Sequence, residues 1–148
     1  MVKELKHLVR DPKSKLFVGI GNVLKCDDGV GVYIAQRIKE RKTIKVLIVE
    51  VSIENYIGRI NKFHPDTLVL IDAVNFGKSP GFCSLLPPDR IMDFTTNTHN
   101  ISLKKLLGFF KSSVFILGIQ PQYMTIGETI SEPVKTRADC ILNIINAA

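Results

Sequence analysis

Apolar and polar positions along the chain follow two patterns, continuous apolar runs and apolar residues at helical spacing. Continuous apolar runs are typical of strands buried on both faces. They occur at 16–20, 46–51, 67–71, 82–86 and 114–117. Helical spacing occurs at 30–41, 53–63, 103–110 and 132–145, with Ser52, Ser102 and Ser131 placed as helix N-caps.

The alternation of strands and helices predicts right-handed βαβ crossovers. We therefore predict a single α/β domain over 1–148, with a doubly wound, mainly parallel twisted sheet and helices on both faces. The strand at 82–86 follows a Ser-Pro-Gly turn and is expected to be antiparallel. If the first two of these helices lie on opposite faces, the strand order begins 2-1-3. The ligand crevice then lies between strands one and three.

Two acidic loops are expected to meet at this crevice. A glycine-rich turn between strand one and the first helix carries Asp27 and Asp28, and Asp72 directly follows the third apolar run. A carboxylate next to such a run is costly unless it is paired, hydrogen-bonded or bound to a metal. Asp is also a preferred N-cap, so we expect one of the two adjacent acids to cap the helix and the other to face the crevice.

A histidine joins this set of candidates. His99 lies in a polar loop before the helix at 103–110, and this loop follows the third strand region, so it can fold over the same crevice. Two carboxylates and one imidazole are a reasonable divalent metal site with open positions, although the donor types do not select one metal. The structural alternatives are a capping Asp72 and a surface His99. His7 and His64 have no such setting.

A dinucleotide site is the competing interpretation of the glycine-rich turn. Gly19 and Gly21 follow a strand, and Glu50 ends the second strand, where a ribose-binding acid would lie. Leu24, however, occupies the position of the third glycine, and a pyrophosphate would meet two carboxylates instead of a bare helix N-terminus. The acids therefore favour a cation.

Composition narrows the function classes further. The net charge is +6, but the basic residues are dispersed and Trp is absent, which gives little support to nucleic-acid binding. No apolar run approaches the ~20 residues of a membrane helix, and the N-terminus lacks an apolar signal segment. The three cysteines show no metal-binding spacing, and Cys26 beside the acid pair fits a tight loop better than a catalytic thiol. We expect a cytoplasmic monomer that neither binds nucleic acid nor inserts into a membrane.

The glycine-rich turn also resembles the opening motif of the hydrogenase maturation endopeptidases, which trim the C-terminal extension from the large subunit of [NiFe] hydrogenases. The resemblance continues in order through four more segments. The matching segments are 19–31, 70–77, 96–100, 117–121 and 131–134. The Thr-His-Asn and Gly-Ile-Gln-Pro segments look most like the branch that matures hydrogenase-3-type enzymes. Residues 1–15 have no counterpart and are assigned no role.

The resemblance implies a nickel site and a processing reaction. Two acids and a histidine bind nickel in that family, and by position they are Asp28, Asp72 and His99, with Asp28 and Asp72 as the catalytic candidates. The family often has Glu where this chain has Asp28, and Asp27 corresponds to a structural acid. The nickel is expected to be carried by the large-subunit precursor and to serve as its recognition element. The alternatives are a non-proteolytic nickel-sensing chaperone of the same subunit and a small metal-dependent hydrolase.

Overall fold

The chain forms a five-stranded sheet with the order β2-β1-β3-β5-β4. A computed structural model describes residues 1–87, 89–90 and 103–147. The strands are β1 (Lys15–Ile20), β2 (Ile44–Glu50), β3 (Thr67–Ala73), β4 (Cys83–Leu86) and β5 (Ser113–Ile119). The first three strands and β5 are parallel, and β4 pairs with β5 antiparallel. The predicted 2-1-3 order and the antiparallel fourth strand are therefore confirmed.

Helices cover both faces of the sheet, as the alternation predicts. The helices are α1 (Val2–Arg10), α2 (Val30–Ala35), α3 (Ile57–Lys62), α4 (Leu103–Leu107) and α5 (Glu132–Ala147). Helices α1, α2 and α5 bury their apolar sides against one face, in a cluster with Phe17 and Val69. Helices α3 and α4 cover the other face, in a cluster with Val18 and Leu68. This arrangement is the doubly wound α/β class predicted from the sequence.

Three predicted helix boundaries are wrong, and one of them is the end of α4, which lies at Leu107 rather than at residue 110. Helix α2 ends at Ala35 rather than at residue 41, because the following turn tightens into i→i+3 hydrogen bonds from Arg37 to Ile34 and from Ile38 to Ala35. Ile38 remains buried in the same cluster, so its apolar spacing continues beyond the helix. The predicted helix at 53–63 begins as a 3₁₀ turn, and Ser52 makes no side-chain cap hydrogen bond there.

Residues before β1, which were assigned no role, form helix α1 and contribute to the core. Leu5, Leu8 and Val9 recur at helical spacing and are buried against the cluster that contains α5. Lys15 then turns inward and its ammonium donates to the main-chain carbonyls of Asp11 and Lys13. Burial lowers the pKa of Lys15 because it disfavours the charged form. The N-terminal segment is therefore a packed helix of this fold.

Candidate active site

The crevice at the carboxyl ends of β1 and β3 is closed on one side by the start of α2. A Cβ added at Gly31 would lie 2.1 Å from the Ile71 carbonyl oxygen and 2.3 Å from that of Ile20, so only glycine allows this approach. Gly31 follows Asp28 within one helical turn, and Ile71 immediately precedes Asp72. The close contact therefore brings the two acidic segments to the same point of the crevice.

The loop that carries Asp28 is folded tightly back on strand β1. Gly21 has a φ of 136°, which L side chains rarely adopt, and a Cβ there would lie 1.9 Å from the Asp28 carbonyl oxygen. The main-chain N–H of Asn22 donates to Oδ2 of Asp28 at 2.9 Å. Asp28 is buried within the 3₁₀ turn Cys26–Gly29. Its carboxylate is thus held in one orientation by its own loop.

Asp72 lies inside β3 rather than after it, which corrects the sequence prediction. It pairs in register with Gly118 of β5 and is buried. Its Oδ1 accepts the main-chain N–H of Ala73 at 2.8 Å. By strand alternation Asp72 lies on the face of Leu68 and Leu70, which is the face covered by α4.

Asp27 is fully buried and joins two loops through its carboxylate. It accepts the main-chain N–H groups of Gln122 at 2.8 Å and of Tyr123 at 3.0 Å. It also accepts the N–H and the hydroxyl of Ser131, both at 2.7 Å. The expectation that one of the two acids caps α2 is wrong, because the N-cap is Gly29 and no side chain caps the helix. Asp27 instead satisfies four donors of the loop between β5 and α5.

Gln120 was missed as an individual residue by the sequence analysis, although it lies in one of the matching segments. It is buried at the end of β5, and its Oε1 accepts the N–H groups of Phe76 at 2.6 Å and Lys78 at 3.3 Å. Its Nε2 donates to Oδ1 of Asn75 at 3.3 Å. Gln120 therefore fastens the segment that follows Asp72. The available signal was a lone amide directly after an apolar strand.

His99, the third predicted ligand, lies outside the described residues, as does the predicted cap Ser102. Within the described ranges, no three His, Cys, Asp or Glu side chains gather closely enough to hold a metal ion. His99 is not among these described residues, so the predicted ligand set stays a prediction. The described segments contain no helix that is long and apolar enough to cross a membrane.

The fold and the crevice define a class, a doubly wound α/β protein with buried acidic residues on the two segments that meet at the switch point of the sheet. The family model described as hydrogenase maturation protease, HycI, matches residues 30–148. The chain therefore belongs to the hydrogenase maturation protease family, and the resemblance found in the sequence is confirmed.

Individual relatives agree with this assignment. A Methanocaldococcus jannaschii protein assigned to the hydrogenase maturation proteases is 29% identical and covers 98% of this chain and 94% of its own. The hydrogenase 3 maturation protease of Escherichia coli is 28% identical over 82% of each chain. The crystal structure of the [NiFe] hydrogenase maturation protease HycI from Thermococcus kodakarensis superposes with a TM-score of 0.81 at 27% identity, over 96% of this chain and 98% of that one.

Proposed function

We propose that this chain is an endopeptidase that removes the C-terminal extension of a nickel-loaded [NiFe] hydrogenase large-subunit precursor. The observation that supports the proposal is the close approach of Gly31 to the Ile20 and Ile71 carbonyls, which brings the segments of the buried Asp28 and Asp72 together at the crevice between β1 and β3. The family assignment supports the protease activity. Beyond that activity, we propose the recognition of nickel, the position of the cleaved bond and the roles of the site residues.

The donor set suits a nickel ion that the precursor brings. Carboxylate and imidazole ligands bind divalent first-row metals, and the set contains no thiolate that would hold a free ion tightly. The side chain of His99 is proposed as the third ligand. The segment that carries His99 leads into α4, and Leu106 of α4 packs on the sheet face to which Asp72 belongs. The precursor's nickel is thus treated as part of the substrate.

The main-chain hydrogen bonds of the two carboxylates support the role proposed for them. The N–H of Asn22 orients Asp28, and the N–H of Ala73 orients Asp72, so neither side chain has to be ordered when the precursor arrives. Fixed carboxylates can dock on the nickel and hold the scissile peptide beside it. One of them can also accept the proton of the attacking water, which is the general-base role proposed for the pair.

The test follows the mass of the precursor's C-terminus during incubation with this chain. We expect cleavage of the nickel-loaded precursor and none of the nickel-free precursor. Asp28→Asn, Asp72→Asn and His99→Ala should each lower processing by at least about a hundredfold, which is the usual scale for a lost catalytic group. Asp139→Asn, the same change at an exposed acid of α5, is the matched control and should process normally.

Other outcomes point to the alternatives. A stable complex with intact precursor and no product on long incubation would indicate a nickel-sensing chaperone. Turnover of a small ester or phosphate without any hydrogenase subunit would indicate a small metal-dependent hydrolase. Equal cleavage with and without nickel would remove nickel from the recognition step.

A further inference from the structure

An exposed apolar surface borders the crevice and has no part in the chemistry described above. It is formed by side chains of the two loops that follow β1 and β5, and we call it the apolar rim. Its members are Val23, Leu24, Tyr123, Met124 and Ile126. Ile126 is 93% exposed, Leu24 56% and Tyr123 55%. Contiguous exposed apolar side chains of this kind mark interaction surfaces.

The rim has an ordered backbone, because its two loops are hydrogen-bonded to each other. The Gly127 N–H donates to the Leu24 carbonyl at 2.9 Å, and the Cys26 N–H donates to the Gly127 carbonyl at 2.7 Å. The Asp27 N–H donates to the Tyr123 carbonyl at 2.9 Å, and the buried Asp27 carboxylate holds the same loop from within. The apolar side chains are therefore presented outward by an ordered backbone.

The rim is continuous with the crevice. Leu24 and Asp28 belong to one loop, and the Asn22 N–H that holds Asp28 lies beside the rim residue Val23. A protein that brings a peptide bond to Asp28 and Asp72 has to lie over this loop. A second copy seated on the rim would instead obstruct the crevice, which argues against self-association as its purpose.

Charge also distinguishes the occupant. The chain carries 20 Lys and Arg and 14 Asp and Glu, yet residues 121–127 contain no charged side chain. An acidic peptide or a nucleic acid would be recognised by basic side chains, which this segment lacks. The rim side chains are apolar, and one exposed lysine, Lys25, lies next to Leu24, so the surface is complementary to a largely apolar segment of a protein.

On the basis of the proposed function, we propose that the apolar rim docks an apolar segment of the large-subunit precursor close to the scissile bond. Docking at the rim contributes affinity for the polypeptide, while the carboxylates act on the nickel and the peptide bond. Kinetics can therefore distinguish the two parts of the site. A rim variant should raise KM because it weakens binding, and should leave kcat nearly unchanged because the catalytic groups stay in place.

The test compares Ile126→Asp and Leu24→Asp with Phe109→Asp. Phe109 is 60% exposed and precedes β5, at the opposite end of the sheet, so it is the matched control. With nickel-loaded precursor, we expect each rim variant to raise KM about tenfold or more, as for a central apolar contact, with kcat nearly unchanged. Ile126→Leu and Phe109→Asp should keep the original KM. Thermal unfolding checks that every variant remains folded.

Each contrary result has a distinct meaning. If KM is unchanged in both rim variants and the unaltered chain cleaves normally, the proposed docking at the rim is wrong and the proposed function stands. If the unaltered chain binds the precursor without cleaving it, the proposed function fails and the rim is judged by binding alone. If the unaltered chain neither binds nor cleaves the precursor, both the proposed function and the docking at the rim are wrong. A dimer that Ile126→Asp converts to a monomer, with unchanged processing, assigns the rim to a second copy.

Discussion

At the scale of single residues, two adjacent aspartates lie in different surroundings. The carboxylate of Asp27 accepts four hydrogen bonds from the loop between β5 and α5 and is fully buried. Asp28 accepts the main-chain N–H of Asn22, in its own loop at the crevice. Asp27 is therefore a structural residue, whereas Asp28 is the acid that we propose for the chemistry.

This difference predicts opposite effects of truncation. Asp27→Ala leaves several buried donors without an acceptor, and each costs about 1–3 kcal/mol unless water replaces the carboxylate. We expect its free energy of unfolding to fall by about 2–5 kcal/mol, measured by urea denaturation. Asp28→Ala, the neighbouring control, should change it by less than about 1 kcal/mol while abolishing processing. Equal stability losses in both variants would contradict the division of roles.

A second residue-scale prediction concerns the link between the amino ends of β1 and β3. Asp66 accepts the main-chain N–H of Ser14 at 2.8 Å and its hydroxyl at 2.9 Å. These hydrogen bonds from Ser14 hold the pKa of Asp66 below its usual value. The stability contributed by this ionised carboxylate is therefore present above the unfolded-state pKa of ~3.9 and is lost as the pH falls through the lower folded-state pKa.

Asp66→Asn should remove this pH dependence. We expect the stability difference between the chain and the variant to be largest near neutral pH and to shrink below about pH 4. Urea denaturation at several pH values between 3 and 7 measures it. When Ser14→Ala removes the hydroxyl donor, the stability difference caused by Asp66→Asn should become smaller. A difference that stays constant over this range would show that the carboxylate's charge is irrelevant there.

At the scale of elements, helix α1 shows how a segment without a recognised motif contributes to the fold. Its buried side chains pack against the cluster that contains α5, and it leads to the amino end of β1, away from the crevice. The segment's stabilising role and the activity at the other end of the sheet should therefore be separable.

Leu5→Ala tests this separation. Leu5 is fully buried, so the substitution removes apolar contacts and leaves a cavity that costs about 2–5 kcal/mol. Processing of the precursor, assayed well below the melting temperature, should be unchanged. Lys6→Ala, at the exposed neighbouring position, should alter the free energy of unfolding by less than about 0.5 kcal/mol. Loss of activity in a folded Leu5→Ala protein would place α1 in the function.

At the scale of the whole molecule, the site is expected to be assembled only with its substrate. The proposed ligands come from separate segments of the chain and lack a thiolate, so they should bind a free ion weakly. We expect the protein purified without chelator to contain well under one equivalent of nickel or zinc by elemental analysis. Added nickel should bind more tightly than manganese, following the Irving–Williams order. One equivalent of metal that resists dialysis would indicate a resident metal and a conventional metallopeptidase.

The sequence by itself determined the mainly parallel sheet, the 2-1-3 order of its first three strands and the crevice between β1 and β3, but not the places of β4 and β5 in the sheet. Continuous apolar runs such as 67–71 identify buried strands without tertiary information, and the alternation with helical segments restricts the connections to right-handed crossovers. Asp72 stands out because a carboxylate next to an apolar run needs a partner. Asp28 stands out because it lies in the glycine-rich turn after the first strand, and His99 because its polar loop can fold over the same crevice. The family resemblance implies a nickel-binding role for all three.

Only the tertiary structure decided the role of Asp27, the packing of α1 and the end of α2. The donors that Asp27 satisfies lie far along the chain, at Gln122, Tyr123 and Ser131, and no local pattern links them. Helix α2 ends early because a tight turn continues to bury Ile38, which keeps the helical spacing without the helix. Local periodicity reports which side of a segment is buried, whereas partners distant in sequence are fixed only when the elements pack.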